Sequence, residues 1–138
     1  MYLIKTSVSK SPIEGLGVFA EEAVEKGTVV WKFTSSHDKS LPISEFDKLD
    51  PEAKKELEKI GYISPLTCVW IYPPENDPAR FTNHSETNNL SVTLNPQISE
   101  EPIFVANKSI IEGEELTVNY LEFDEHTKQI KPEWIGNL

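Results

Sequence analysis

The feature that most restricts the fold of this chain is a series of short apolar runs separated by turns. Each run has five to seven residues and is rich in β-branched or aromatic side chains, a composition typical of β-strands. The runs cover residues 28–33, 66–72, 90–94, 102–106 and 116–120. Looser alternation over residues 2–8 predicts a further strand. Glycine, proline and asparagine between the runs predict turns, so the strands are short and frequently interrupted.

One segment, residues 44–60, has a helical pattern. Ser44 is placed to cap its start, and Gly61 is placed to stop it. Pro51 divides the segment into two pieces because its ring is not tolerated inside a helix. Polar residues 34–42 predict a loop. Together these features predict an α+β domain that is mostly β and carries a short helical insertion.

Size and charge restrict the partners. The 138 residues suit a single domain, and no linker, repeat or low-complexity tract divides them. Thirteen basic and 23 acidic residues give a net charge of −10, which opposes a phosphate backbone, so direct nucleic-acid binding is not expected. The same charge suits a basic protein or peptide. The simpler alternative is that it only keeps the protein soluble.

Several other classes of protein are disfavoured by composition. No apolar run approaches the ~18–20 residues that span a membrane, and the first residues are too few and too polar for a secretory signal. We therefore expect a cytoplasmic or otherwise intracellular protein that is not secreted. The single Cys68 excludes an intramolecular disulfide and a multi-cysteine zinc site. His37, His84, His126 and Cys68 are scattered along the chain with no close pair among them, so no metal is expected.

Three short motifs are candidates for a functional site. They are Gly15-Leu16-Gly17, the segment RFTNHS at 80–85, and the segment ELTVNY at 115–120. Each has an ordinary interpretation when taken alone. The glycines suit a tight hairpin turn, the second segment suits a capped turn, and a tyrosine at a strand end usually packs at the edge of a core.

In this order, the three motifs resemble those of the SET-domain protein lysine methyltransferases. The resemblance covers roughly residues 12–124, and the second motif precedes the third by about thirty residues, with a GEE turn at 113–115 between them. The chain is similar to minimal, stand-alone bacterial or viral members. Family members often read NHSCxPN, whereas Glu86 follows Ser85 here. The resemblance implies a SET domain over 1–124 and a tail over 125–138 that is a candidate lid over the cofactor.

The resemblance also implies a fold and a cofactor. The fold is a set of small curved sheets with a C-terminal pseudoknot. The cofactor is S-adenosylmethionine, which leaves as S-adenosylhomocysteine, and no metal takes part. The residues that the family pattern assigns to cofactor binding are Gly15, Leu16, Gly17, Arg80, Phe81, Asn83, His84, Tyr120, Phe123 and Trp134. For Trp134, docking of the tail on the core or on a partner is an equal alternative.

The family pattern makes Tyr120 the catalytic phenol beside the transferring methyl group. A free lysine has a pKa of ~10.4, and a nearby sulfonium and an apolar channel both lower that pKa toward a neutral nucleophile. The enzyme therefore needs no dedicated base. We assign Tyr120 to positioning through weak C–H···O contacts, with a general-base role as the alternative.

Four residues are candidates for binding the substrate lysine. Tyr62, Trp70 and Tyr72 could line a channel around its stem, because aromatic faces suit a cationic amine. Ordinary core packing is the alternative for each of them. Val118 stands where some family members place an aromatic that limits the number of methyl groups. It does not by itself decide between mono-, di- and trimethylation.

The function expected from the resemblance is protein lysine N-methylation. The substrate would be a basic protein or peptide, such as a histone tail, and the enzyme would be nuclear in a eukaryote. The alternative is a catalytically inactive SET-like module that binds a basic peptide. A third hypothesis is that the chain is an interaction protein whose similarity to the family is accidental.

Overall fold

The computed structural model describes residues 1–64, 67, 69–119 and 122. The strands, in chain order, are β1 Thr6–Lys10, β2 Leu16–Ala20, β3 Val29–Lys32, β4 Lys39–Pro42, β5 Tyr62–Ile63, β6 Val69–Tyr72, β7 Asn83–His84, β8 Leu90–Thr93, β9 Ile103–Ala106 and β10 Glu115–Val118. The helices are α1 Ile43–Phe46, α2 Pro51–Ile60 and a 3-10 helix Pro78–Phe81. This is the predicted α+β fold, mostly β, with short strands and few helices.

The strands form three small sheets, and the first of them organises the predicted motifs. Its order is β1-β2-β10-β7, so the strand of the third motif lies between the strand of the first motif and that of the second. β10 runs parallel to β7, with Thr117 opposite Asn83 and Val118 opposite His84. It runs antiparallel to β2, with Leu116 opposite Val18. Segments far apart in sequence are thus hydrogen-bonded neighbours.

The other two sheets complete the core. They have the orders β3-β9-β8 and β4-β6-β5. The main cluster of buried apolar side chains joins the first sheet to the β3-β9-β8 sheet, and Val18, Val30, Leu90 and Leu116 within it are fully buried. Burial of side chains of this size stabilises a domain by about 1.5–3 kcal/mol each. The core therefore fixes β10 in its central position.

The helical insertion consists of α1 and α2, divided as predicted before Pro51. Asp50, rather than Ser44, supplies a side-chain cap: its Oδ1 accepts from the Ala53 N–H at 2.8 Å at the start of α2. The prediction for Ser44 is wrong because Pro42 occupies the cap position of α1 and makes no side-chain hydrogen bond. Gly61 follows the last residue of α2, as predicted.

Two other local predictions are corrected by the structure. Polar residues 34–42 are not all loop, since β4 pairs with β6 and sets Leu41 opposite Trp70. Pairing with an apolar strand therefore outweighs the polar composition of the segment. The first strand begins at Thr6 instead of residue 2, because its register is set by pairing with β2. Among the described residues, no helix is long and apolar enough to cross a membrane.

Candidate active site

The Asn83 side chain joins the three motifs. Its Nδ2 donates to the carbonyl oxygens of Glu14 and Leu16, at 3.2 and 3.1 Å, and to Oε2 of Glu115 at 2.9 Å. The glycine between those two carbonyls, Gly15, has a φ of +48°, a left-handed conformation that favours glycine. The first turn therefore takes a shape in which its carbonyls point to the second motif.

Glu115 is a second junction, and the sequence analysis did not identify it. Its carboxylate accepts from Ser11 Oγ at 2.8 and 2.9 Å as well as from Asn83. A Cβ at Gly17 would lie 2.9 Å from Cδ of Glu115. Gly17 is thus needed for close approach of this carboxylate. No sequence spacing signals this role, because Ser11 and Glu115 are 104 positions apart.

A cavity of about 150 Å³ lies where these motifs meet. The residues that line it are Glu14, Gly15, Leu16, Lys59, Arg80, Phe81, Thr82 and Asn83. Five of them are predicted cofactor-binding residues. Gly17 and His84, each adjacent in the chain to a lining residue, do not line the cavity themselves.

Arg80 holds the loop of the second motif in place. Its Nε donates to the carbonyl oxygens of Pro73 and Pro74, at 3.1 and 2.9 Å, and its Nη1 lies 3.4 Å from Oε1 of Glu56 on α2. The Arg80 side chain is only 16% exposed. Asp77 caps the 3-10 helix that carries Arg80, since its Oδ1 accepts from the Ala79 N–H at 2.7 Å.

Lys59 and Glu14 face each other at this cavity, and neither was predicted. Lys59 Nζ lies 3.4 Å from Oε1 of Glu14, and both side chains are more than half exposed. An exposed ion pair of this kind contributes only about 0–1 kcal/mol, so a charged ligand can open it at little cost. The pair offers one positive and one negative group at the same wall.

His84 lies on β7, beside β10. Burial lowers its pKa from the ordinary value, and the nearby charge of Glu86 opposes that effect. The lowered pKa favours the neutral imidazole at pH 7. A neutral ring presents one donor and one acceptor nitrogen rather than a positive charge.

A second, narrow cavity of about 40 Å³ adjoins the first, and Lys59 and Thr82 line both. Its walls include Tyr62, Tyr72 and Val118, all predicted to bind the substrate lysine. These walls are mainly apolar and aromatic. The arrangement brings two distinct binding spaces into contact through shared residues.

Trp31 and Phe104 add aromatic walls to this second cavity that the sequence analysis did not single out. The two rings stack at 4.8 Å, and Trp31 also meets Tyr62 edge-on at 6.5 Å. The buried Nε1 of Trp31 has no hydrogen-bond partner in the described part of the chain.

Glu101 fixes the position of Tyr62. The Tyr62 hydroxyl donates to Oε1 of Glu101 at 3.0 Å, and Ser64 Oγ donates to Oε2 at 2.7 Å. Glu101 is itself buried. Because the hydroxyl is held in this way, the ring of Tyr62 is fixed as part of the cavity wall.

Trp70 occupies a different place from the other aromatic candidates. It is 1% exposed and stacks on Phe46 at 4.8 Å in a second core cluster beneath the helical insertion. It does not line the cavity that contains Tyr62 and Tyr72. The structure thus gives Trp70 the core position that the sequence analysis kept as its alternative. Tyr120, Phe123, Trp134 and the tail 125–138 lie outside the described residues.

A family model for the SET domain matches residues 15–121 of the chain. The chain belongs to the SET domain family. The matched range includes all three motifs and every residue that lines the two cavities except Glu14. It confirms the resemblance inferred from the motifs. No curated protein sequence matches the chain significantly.

Solved structures support the same fold. A Plasmodium falciparum protein described as a candidate histone methyltransferase matches with a TM-score of 0.57 and 20% identity, over 85% of this SET domain chain and 93% of its own. A chain of a structure described as apo ctPRC2 with two mutations in Ezh2 matches with a TM-score of 0.68 and 24% identity, over 92% of this chain. The SET domain chain spans only 16% of that second matched chain. At these identities the likeness establishes the fold.

Proposed function

We propose that this SET domain is a protein lysine N-methyltransferase that uses S-adenosylmethionine and releases S-adenosylhomocysteine. The observation that carries the proposal is the contact between its two cavities. One is built by the glycine turn and Asn83, the other has aromatic walls, and Lys59 and Thr82 line both. Methyl transfer between two bound molecules needs such adjoining spaces, because much of the rate comes from holding the reactants in line.

The residues at the first cavity fit the cofactor. The amino-acid end of S-adenosylmethionine carries a carboxylate and an ammonium group, and Lys59 and Glu14 offer the opposite charges. Gly15 and Leu16 bring backbone close to the same space, and Asn83 fixes their turn. When bound, the cofactor supplies an electrophilic methyl group on a positive sulfur. We include Gly17, Arg80, Phe81 and His84 as residues that shape this site.

The second cavity fits the stem of a substrate lysine. Its apolar walls disfavour the ammonium form and so lower the pKa of the amine toward the nucleophilic form. Tyr62 and Tyr72 offer aromatic faces to the amine and its methylated products. We propose that Val118, where some family members have an aromatic side chain, leaves space in this cavity for methyl groups on the substrate amine.

We propose Tyr120 as the phenol that positions the methyl group, with general-base action as the alternative. It follows β10 by two residues, and Val118 at the end of that strand lines the second cavity. We propose the tail 125–138 as a lid, with Phe123 or Trp134 against the cofactor. The solved structure described as a candidate histone methyltransferase and the charge of −10 support a basic substrate such as a histone tail, met inside the cell.

The proposal is tested with S-adenosylmethionine labelled in its methyl group. The full chain is incubated with histones and with a whole-cell protein extract, and modified lysines are located by mass spectrometry. We expect label on lysine in the wild type. Tyr120→Phe should lose most of the transfer while keeping its unfolding temperature and its affinity for S-adenosylhomocysteine, because only one hydroxyl is removed.

Two outcomes would contradict the proposal, the first for the role of Tyr120 and the second for the activity as a whole. Full transfer by Tyr120→Phe would remove the role assigned to that phenol. Tight binding of a basic peptide that is insensitive to the cofactor, without transfer of label, would instead identify an inactive binding module.

A further inference from the structure

A cluster of metal-ligand side chains lies outside both cavities. His37, Asp38 and Asp77 each offer one ligand atom, and these atoms lie within 4.8 Å of one another. Nε2 of His37 is in contact with Oδ2 of Asp77. A tetrahedral first-row metal holds such ligands at about 2.0–2.2 Å, so the ligand atoms themselves are about 3.4 Å apart. The cluster is therefore close to the size of a coordination sphere.

The state of Asp38 is an independent sign of a missing ligand. Its side chain has 0% exposure. Oδ2 accepts from the Thr34 N–H at 2.7 Å and from the amino group of Met1 at 3.2 Å. Oδ1 is equally buried, yet it has no hydrogen-bond partner in the described part of the chain. A buried carboxylate oxygen without a partner is costly, and a cation would satisfy it.

The site is also accessible. A large open cavity of about 700 Å³ is lined by His37 and Asp77 and also by Met1 and Lys39, whereas Asp38 does not line it. His37 is 35% exposed, whereas Asp77 is 3% exposed. An ion can therefore enter from the side of His37, and water can complete its coordination.

We propose that His37, Asp38 and Asp77 bind one divalent transition-metal ion. One imidazole nitrogen and two carboxylate oxygens suit Zn²⁺ or Mn²⁺, whereas Ca²⁺ and Mg²⁺ prefer ligand sets made only of oxygen. The ion is structural: it ties the turn before β4 to the loop that ends in Asp77, the cap of the 3-10 helix. That helix carries Arg80 and leads to Asn83, so the ion would steady the second motif. This inference does not depend on methyltransferase activity.

The test uses the full chain without a polyhistidine tag, stripped with EDTA and desalted. Calorimetric titrations with Zn²⁺, Mn²⁺ and Ca²⁺ measure stoichiometry and affinity. We expect one Zn²⁺ or Mn²⁺ per chain, no Ca²⁺ binding in the same range, and a rise in Tm of roughly 5 °C at saturating Zn²⁺. Asp38→Asn, which keeps the size of the side chain, should weaken binding at least about tenfold, as should His37→Ala.

Asp47→Asn is the matched control, because Asp47 is an exposed acid outside the cluster. It should bind the metal like the wild type. His37→Ala changes a partly exposed side chain, so it keeps the test decisive if Asp38→Asn fails to fold. Absence of stoichiometric binding, or binding that neither cluster variant weakens, would overturn the proposal. The second result would assign the ion to other ligands, such as Cys68 or His126.

Discussion

At the scale of single residues, the functional motifs depend on side chains that hydrogen-bond to the backbone of another motif. Asn83 is more than a cofactor candidate, because it holds the carbonyls on both sides of Gly15. Glu115 then links Asn83 to Ser11. The identities of Asn83 and Gly15 are evident from the motifs. The role of Glu115 is not, since its partners come from two distant segments.

His84 gives a pH dependence that belongs to this scale. Burial lowers its pKa in the folded state below the ordinary value of 6.5, so the unfolded chain binds a proton more readily. The contribution of neutral His84 to the free energy of unfolding is therefore complete above about pH 6.5. It is lost as the pH falls through the lowered pKa of the folded state. We expect Tm to fall over this range, and His84→Gln to reduce the slope.

The measurement is Tm between pH 8 and pH 5 for both proteins, with the ring protons of His84 followed by NMR. An unchanged slope in His84→Gln, or a His84 titration midpoint above 6.5, would contradict this assignment.

At the scale of elements, α2 does more than fill an insertion. It brings Lys59 to the boundary of both cavities and Glu56 to Arg80. The pattern of residues 44–60 predicted a helical segment and its division at Pro51. It did not predict which face would meet the motifs, because that depends on the packing of α2 against the 3-10 helix and the loop before it.

Lys59→Gln tests this contribution of α2. If Lys59 binds the carboxylate of the cofactor, the substitution should raise the Kd for S-adenosylhomocysteine about fivefold, equivalent to about 1 kcal/mol. Tm should change little, because the ion pair with Glu14 is exposed. Calorimetry measures the affinity.

Lys55→Gln is the matched control, since it makes the same substitution at an exposed position of the same helix. Equal affinities for the two variants would exclude Lys59 from cofactor binding.

At the scale of the whole molecule, the parallel pairing of β10 with β7 is the decisive feature. It sets Val118, which lines the second cavity, beside His84. The β1-β2-β10-β7 sheet thus includes one strand from each of the three motifs. A ligand that binds where the three motifs meet therefore contacts several strands at once and stabilises the whole fold.

S-adenosylhomocysteine should accordingly raise Tm. A ligand that binds only the folded state at 100 times its Kd contributes about 2.7 kcal/mol, which corresponds to roughly 5–10 °C for a domain of this size. Differential scanning calorimetry measures the shift. Adenosine at the same concentration is the control and should give a smaller shift, because it lacks the charged amino-acid end that Lys59 and Glu14 would bind. No shift at millimolar S-adenosylhomocysteine would contradict the proposed site.

The sequence alone determined the class of fold, most strands, the divided helical segment and the family, because these depend on local composition and on ordered motifs. Tertiary structure alone decided the strand at residues 39–42, the core position of Trp70 and the roles of Lys59 and Glu115. It also gathered His37, Asp38 and Asp77, although His37 and Asp77 are 40 positions apart. The physical reason is that sheet pairing and helix packing join distant segments. The sequence pattern within one segment does not show which distant segments it will contact.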